Sequence, residues 1–246
     1  MSQFLFEDSA HAIEQLQEGA GVASLAGGGP ETDTPMALVL NELLVHNNRR
    51  FFGSANVRAD TIVVQGNLLD SETPRNFYSP STLRFSGIGD GEALPIDDHG
   101  ITLYYGWPRH FIDLSVIVSR DDDGKKSLSE LLVDELGSDD FSEAIRVLAL
   151  LAGAANPTAA AIIGAIGAAK SLASIALKVL GELNQPTIGL YRGTRLAHPG
   201  SFGLGRNPDV GTYRADEMSL SFDVVSAGPA QQAVRRHATD LPTFPR

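Results

Sequence analysis

The chain contains no cysteine. Disulfides, thiolate zinc sites and a cysteine nucleophile are thereby excluded, and the absence fits a reducing compartment. Positive charge is also scarce. Lys and Arg number 19 against 30 Asp and Glu, giving a formal net charge of -11. Nucleic-acid binding rests on Lys and Arg neutralising phosphates, so no nucleic-acid partner is expected. Unassisted adsorption to an anionic membrane is disfavoured for the same reason, although a divalent cation reverses that locally. Catalytic signatures are missing too. The 6 histidines form no HxH or HExxH pattern, and no GxSxG elbow occurs. A non-enzymatic protein is the expectation.

One long uncharged stretch is present. Residues 147–169, VLALLAGAANPTAAAIIGAIGAA, lie between Arg146 and Lys170. Asn156-Pro157 reads as a turn in its middle. Ala and Gly, which contribute little to membrane insertion, make up about half of it. Each half alone falls short of the roughly 20 apolar residues a span needs. The stretch is therefore expected to form a helical hairpin covering a sheet, not a constitutive transmembrane segment. Gly164, Ala165, Gly167 and Ala168 would allow close approach. The competing reading is a membrane-active, pore-forming effector that inserts the 139–183 hairpin, since small residues also suit helix packing in lipid.

With 246 residues and 43% hydrophobic content, the chain can build a core without covalent staples. Residues 1–35 read as an N-terminal arm, with a helical pattern over 4–18 and a Gly-rich linker. MSQFLFEDSAHAIEQLQ lacks leading basic residues and is interrupted by Glu7 and Asp8, so it does not read as a secretory signal. A cytoplasmic protein is expected. Residues 36–226 read as one β domain. Strand patterns occupy 36–47, 57–66, 81–88, 101–106, 111–119, 187–196 and 218–225. Between them, 127–184 changes to helical period. Ser127 with Glu130 forms a capping box closed by Gly137, Ser138 or Asp139 opens a second helix, and a third is expected from Pro157 to about Leu183. Residues 227–246 read as a polar tail.

Acidic loops carry the clearest chemical pattern. FIDLSVIVS runs into Asp121, Asp122, Asp123 and Gly124, and Asp97 and Asp98 form a second acidic loop with Asp90 nearby. Calcium takes 6–8 oxygens, so converging loop carboxylates suit it. Asp and Gly are equally the residues of a solvated turn. Arg192, Arg195, Arg206 and Arg214 give a basic character near the chain's end, either pairing with acids such as Asp209 and Asp216 or facing an anionic ligand. GSFGLGRN (200–207) precedes no helix and reads as a loop, not a phosphate cradle.

An Asp-rich loop after a β strand, in an otherwise β context, resembles a C2-type β-sandwich over about residues 36–120 and 187–226. The resemblance implies a mainly β fold, an antiparallel sandwich carrying a helical-hairpin insertion. It also implies that Asp121 and Asp123 bind calcium; Asp122, Asp97 and Asp98 are further candidate ligands from the acidic loops themselves. Calcium would then link the protein to a phospholipid membrane surface or a protein partner. The sequence shows no matched second Asp pair in an earlier loop, and the hairpin is not a standard feature of that family.

Overall fold

The computed structural model describes residues 35–66, 77–121, 126–154, 157–197, 202 and 213–226. Nearly all of the expected arm and the whole expected tail lie outside them. The order of elements is β1 (Met36–Val45), β2 (Ala55–Gln65), β3 (Tyr78–Ile88), β4 (Glu92–Ala93), β5 (Ile101–Gly106), β6 (Phe111–Arg120), α1 (Leu128–Glu135), α2 (Asp139–Ala152), α3 (Ala159–Gly181), β7 (Thr187–Leu196), β8 (Tyr213–Ala215) and β9 (Met218–Ser226).

The strands form two sheets, paired antiparallel throughout. The first runs β3-β2-β6-β7. The second is centred on β1 and β9, with β4 and β5 on the outer side of β1 and β8 beyond β9. The seven expected strands are all present. The additional β4 and β8 are two and three residues long, too short to leave an alternation in sequence. The protein is thus mainly β with three helices, and its two sheets share a core in a sandwich-like arrangement. Val57, Ala59, Val63, Leu114 and Val116 of the first sheet meet Leu38, Leu40, Leu43 and Leu220 of the second.

The other face of the first sheet is also covered. Ile62, Val64, Phe111 and Ile117 pack with Leu132, Leu148, Ile166 and Leu172 of the helices. Each such side chain contributes roughly 1.5–3 kcal/mol on full burial. The helix starts follow local chemistry. Glu130 Oε2 accepts both the N–H and the hydroxyl of Ser127, each at 2.7 Å. Ser138 Oγ accepts from the Phe141 N–H at 3.3 Å. The third helix starts two residues later than expected. Thr158 caps it, with Oγ1 accepting from the Ala161 N–H at 3.2 Å, and Pro157 precedes the cap. This helix is 23 residues long, and an 18-residue stretch of it with mean hydropathy 1.8 makes it long and apolar enough to cross a membrane by length and composition. The half of the uncharged stretch judged too short is extended by residues 170–181 into one continuous helix. Its exposed positions include Ala160, Gly164, Gly167, Lys170, Ser171, Ser174 and Lys178, while its buried ones include Ile162, Ile166, Leu172 and Val179.

Two charged clusters lie buried under this helical layer. Arg58 clasps Asp60 through Nε and Nη2 at 2.6 and 2.7 Å. Thr82 adds a 2.6 Å hydroxyl bond to Asp60. Arg58 Nη1 reaches the Lys126 carbonyl at 3.2 Å, just before α1. The second cluster repeats the pattern. Arg192 clasps Asp113 at 3.0 and 2.6 Å, Thr194 donates to Asp113 at 2.6 Å, and Arg192 Nη2 reaches the Ile166 carbonyl of α3 at 3.0 Å. In both, Asp and Thr are direct cross-strand partners, and Arg stands two residues along one of the two strands. Burial outweighs the Arg192 charge and the Thr194 bond, lifting the Asp113 carboxyl above the usual carboxylate range. Arg192, expected to pair locally or meet an anion, belongs to this internal cluster.

Candidate functional site

The β1–β2 connection, Asn47-Asn48-Arg49-Arg50-Phe51-Phe52-Gly53-Ser54, has the composition of a turn. Asn side chains readily bond the backbone two residues on, and both do so here. Asn47 Oδ1 accepts from the Arg49 N–H at 2.8 Å, and Asn48 Oδ1 from the Arg50 N–H at 2.9 Å. Asn48 is fully buried. Its amide nitrogen donates to the carbonyls of Gly53 at 3.0 Å and Ile88 at 2.9 Å, and its backbone N–H meets Asp90 Oδ1 at 2.7 Å. Arg50 Nη1 closes the loop onto the Ser54 carbonyl. Arg49 (φ 58°) and Gly53 (φ 80°) occupy the left-handed region, a conformation that costs a non-glycine residue free energy and persists where surrounding bonds enforce it.

This scaffold presents two phenylalanines to solvent. Phe51 is 90% exposed and Phe52 81%. Their rings meet edge to face, with centroids 4.6 Å apart. Single exposed apolar residues are ordinary on a protein surface. A pair of aromatic rings on a loop tied down by a buried asparagine is a defined apolar knob. Arg49 and Arg50 are exposed beside it, and neither has a carboxylate partner among the described residues. Sequence reasoning missed this knob. The signal available was a pair of aromatics and a pair of arginines inside a turn-forming run.

The acidic residues are placed separately. Asp121 follows β6 at the same end of the sheets, where its N–H bonds the Asn56 carbonyl at 2.9 Å. Oδ2 receives the Arg84 Nε at 2.9 Å. Oδ1 is buried without a hydrogen-bond partner among the described residues. Asp122 and Asp123 lie outside the described residues. Asp97 and Asp98 are exposed in the β4–β5 connection. Asp97 Oδ1 accepts from the His99 N–H at 3.0 Å, and Gly100 packs against Val39 and the Leu40 carbonyl of β1. They therefore flank the second sheet, whereas Asp121 terminates a strand of the first. Among the described residues, no three His, Asp or Glu side chains converge as metal ligands.

Trp107 is partly buried and meets Tyr105 edge to face at 6.1 Å. Within the glycine-rich stretch 200–207, Phe202 is described, and it is buried in the inter-sheet core. Arg195 lies over Tyr213 and Phe222, 5.6 Å from each ring centroid, a cation–π contact closing the sandwich edge. No family model matches the chain, and no curated protein is significantly similar to it.

Proposed function

We propose that this protein is a non-enzymatic docking module whose contact surface is the β1–β2 loop. The observation that carries the reading is the exposure of Phe51 and Phe52 on a loop held from within by Asn48. Buried aromatic surface dominates the energetics of recognition, and a loop already fixed in shape loses little entropy on binding. Two exposed arginines beside the rings, without a carboxylate partner among the described residues, favour a partner combining apolar and anionic groups, either a membrane surface or a protein. The test compares wild type with Phe51→Ser/Phe52→Ser in vesicle pelleting, with and without phosphatidylserine, and in self-association. Whichever association wild type shows should be lost in the variant. Association that the variant retains, or none in wild type, contradicts the reading.

Calcium assistance is a second reading, favoured by the unpartnered Asp121 Oδ1 and by the C2-like interpretation of the two sheets. Asp121, with Asp122 and Asp123 following, would supply part of an oxygen shell, and Arg84 would have to yield or share the carboxylate. Calorimetric heat on adding calcium that disappears in Asp121→Asn supports this reading, and no heat at millimolar calcium ends it. A membrane-active role has the length and hydropathy of α3 in its favour. Its cost is high, because lifting the helices from the sheet would strip the Lys126 and Ile166 carbonyls from two buried arginines. Dye release from liposomes tests it directly.

A further inference from the structure

The knob has a complementary recess elsewhere on the same chain. A cleft of about 340 Å³ opens between β3 and α1, lined by Tyr78, Pro80, Leu132, Val133 and Leu136 together with the polar Ser129 and Glu130. Among the described residues, the large apolar side chains open to solvent are Phe51, Phe52, Leu150 and, in this cleft, Val133 at 51% exposed. The cleft is mainly apolar, as a pair of phenyl rings requires. The chain just beyond it is acidic. Asp139 and Asp140 follow Leu136 closely, are exposed, and have no cationic partner among the described residues. Arg49 and Arg50 are the matching cations beside the knob.

One molecule cannot fill its own cleft. The loop bonds Ile88 at one end of β3, and the cleft begins at Tyr78 and Pro80 near the other. Pro80 and Ile88 are about 26 Å apart along the strand at 3.3 Å per residue. Knob and cleft therefore sit on different ends of the same molecule. Net charge does not separate a bilayer from a second copy as occupant of the knob, because both are anionic and salt screens the general repulsion beyond about 8 Å in either case. The second copy alone offers a shaped apolar cleft with exposed acids beside it, matching two rings flanked by two arginines.

Resting on the docking reading above, we propose that the partner is a second copy of this chain. Phe51 and Phe52 of one molecule enter the Tyr78–Val133 cleft of the next, and Arg49 and Arg50 face its Glu130, Asp139 and Asp140. Such a contact is head to tail. It joins different surfaces on the two copies, so it extends into a ring or an open chain and does not stop at a symmetric dimer.

Sedimentation velocity of the full chain over a wide concentration range tests this. Wild type should sediment faster as concentration rises. Phe51→Ser/Phe52→Ser and Val133→Asp should each remain monomeric. Both variants change exposed positions, and an unchanged unfolding midpoint confirms that they fold. Mixed together they should form a dimer and nothing larger, since one retains only the cleft and the other only the knob. A wild type that stays monomeric throughout, or a mixture that does, overturns the proposal. The same samples are pelleted with phosphatidylserine-containing vesicles. A monomeric wild type that pellets through Phe51 and Phe52 overturns the copy-to-copy contact but keeps the docking reading, with the bilayer as partner. Neither pelleting nor association removes both.

Discussion

Two regions of this molecule invert the usual division of polar and apolar groups, in opposite directions. Under the helices, Arg58 and Asp60 are wholly buried. At the β1–β2 loop, Phe52 is 81% exposed. The buried region is satisfied from within: each carboxylate takes a guanidinium and a threonine hydroxyl, and each guanidinium also reaches a carbonyl in or beside the helical layer. Such groups explain themselves structurally, by fixing where α1 and α3 rest on the sheet. The exposed rings have no comparable internal partner. The buried asparagine beneath them holds the loop in shape without covering them. Polar groups that are buried and fully bonded call for no ligand, whereas apolar groups held out in water by a rigid loop point outward to one.

The largest expected effects lie at the buried clusters. Asp113→Ala leaves Arg192 buried and unpaired, and should cost about 3–5 kcal/mol in denaturant unfolding. Replacing both partners, as in Asp113→Leu/Arg192→Met, should cost far less, since well-packed apolar pairs often substitute for buried ion pairs without loss. The raised Asp113 carboxyl points the same way, because it marks how much burial penalises the charge. If the double variant is as unstable as the single, the cluster contributes more than its charge balance.

A smaller effect lies at His110, half-buried before β6. Burial, and secondarily Arg109, lowers its pKa from 6.5. The fold therefore favours neutral imidazole. Its contribution is present above pH 6.5 and lost as pH falls through the folded-state value below that. His110→Asn, which tolerates the observed φ of 55°, should flatten the decline in unfolding midpoint between about pH 7 and 5. An unchanged slope assigns that decline to other groups.

Much of the fold was legible in the sequence. Alternation and breakers are local signals, so FIDLSVIVS and MSLSFDVV read as strands, and Ser127 with Glu130 read as a helix start. The fate of Arg58 and Asp60 was not legible. In a strand, charges read as a wet face, and only the helical layer, some 70 residues further on at Lys126, turns that face inward. Asp121 read as a free loop acid because its partner, Arg84, lies 37 residues earlier. The knob was hidden for a different reason. Phe is expected inside, and nothing in NNRRFFGS says that Asn48 rather than Phe51 is the residue that turns inward.

A docking role for the β1–β2 loop requires that Phe51 and Phe52 serve nothing inside their own molecule. The most direct measurement is the unfolding free energy of Phe51→Ser/Phe52→Ser beside wild type, in solution dilute enough to exclude association. The expected difference is within about 0.5 kcal/mol, as for surface substitutions without structural partners. A loss of several kcal/mol would make the rings part of the fold and remove the ground for a docking surface at this loop.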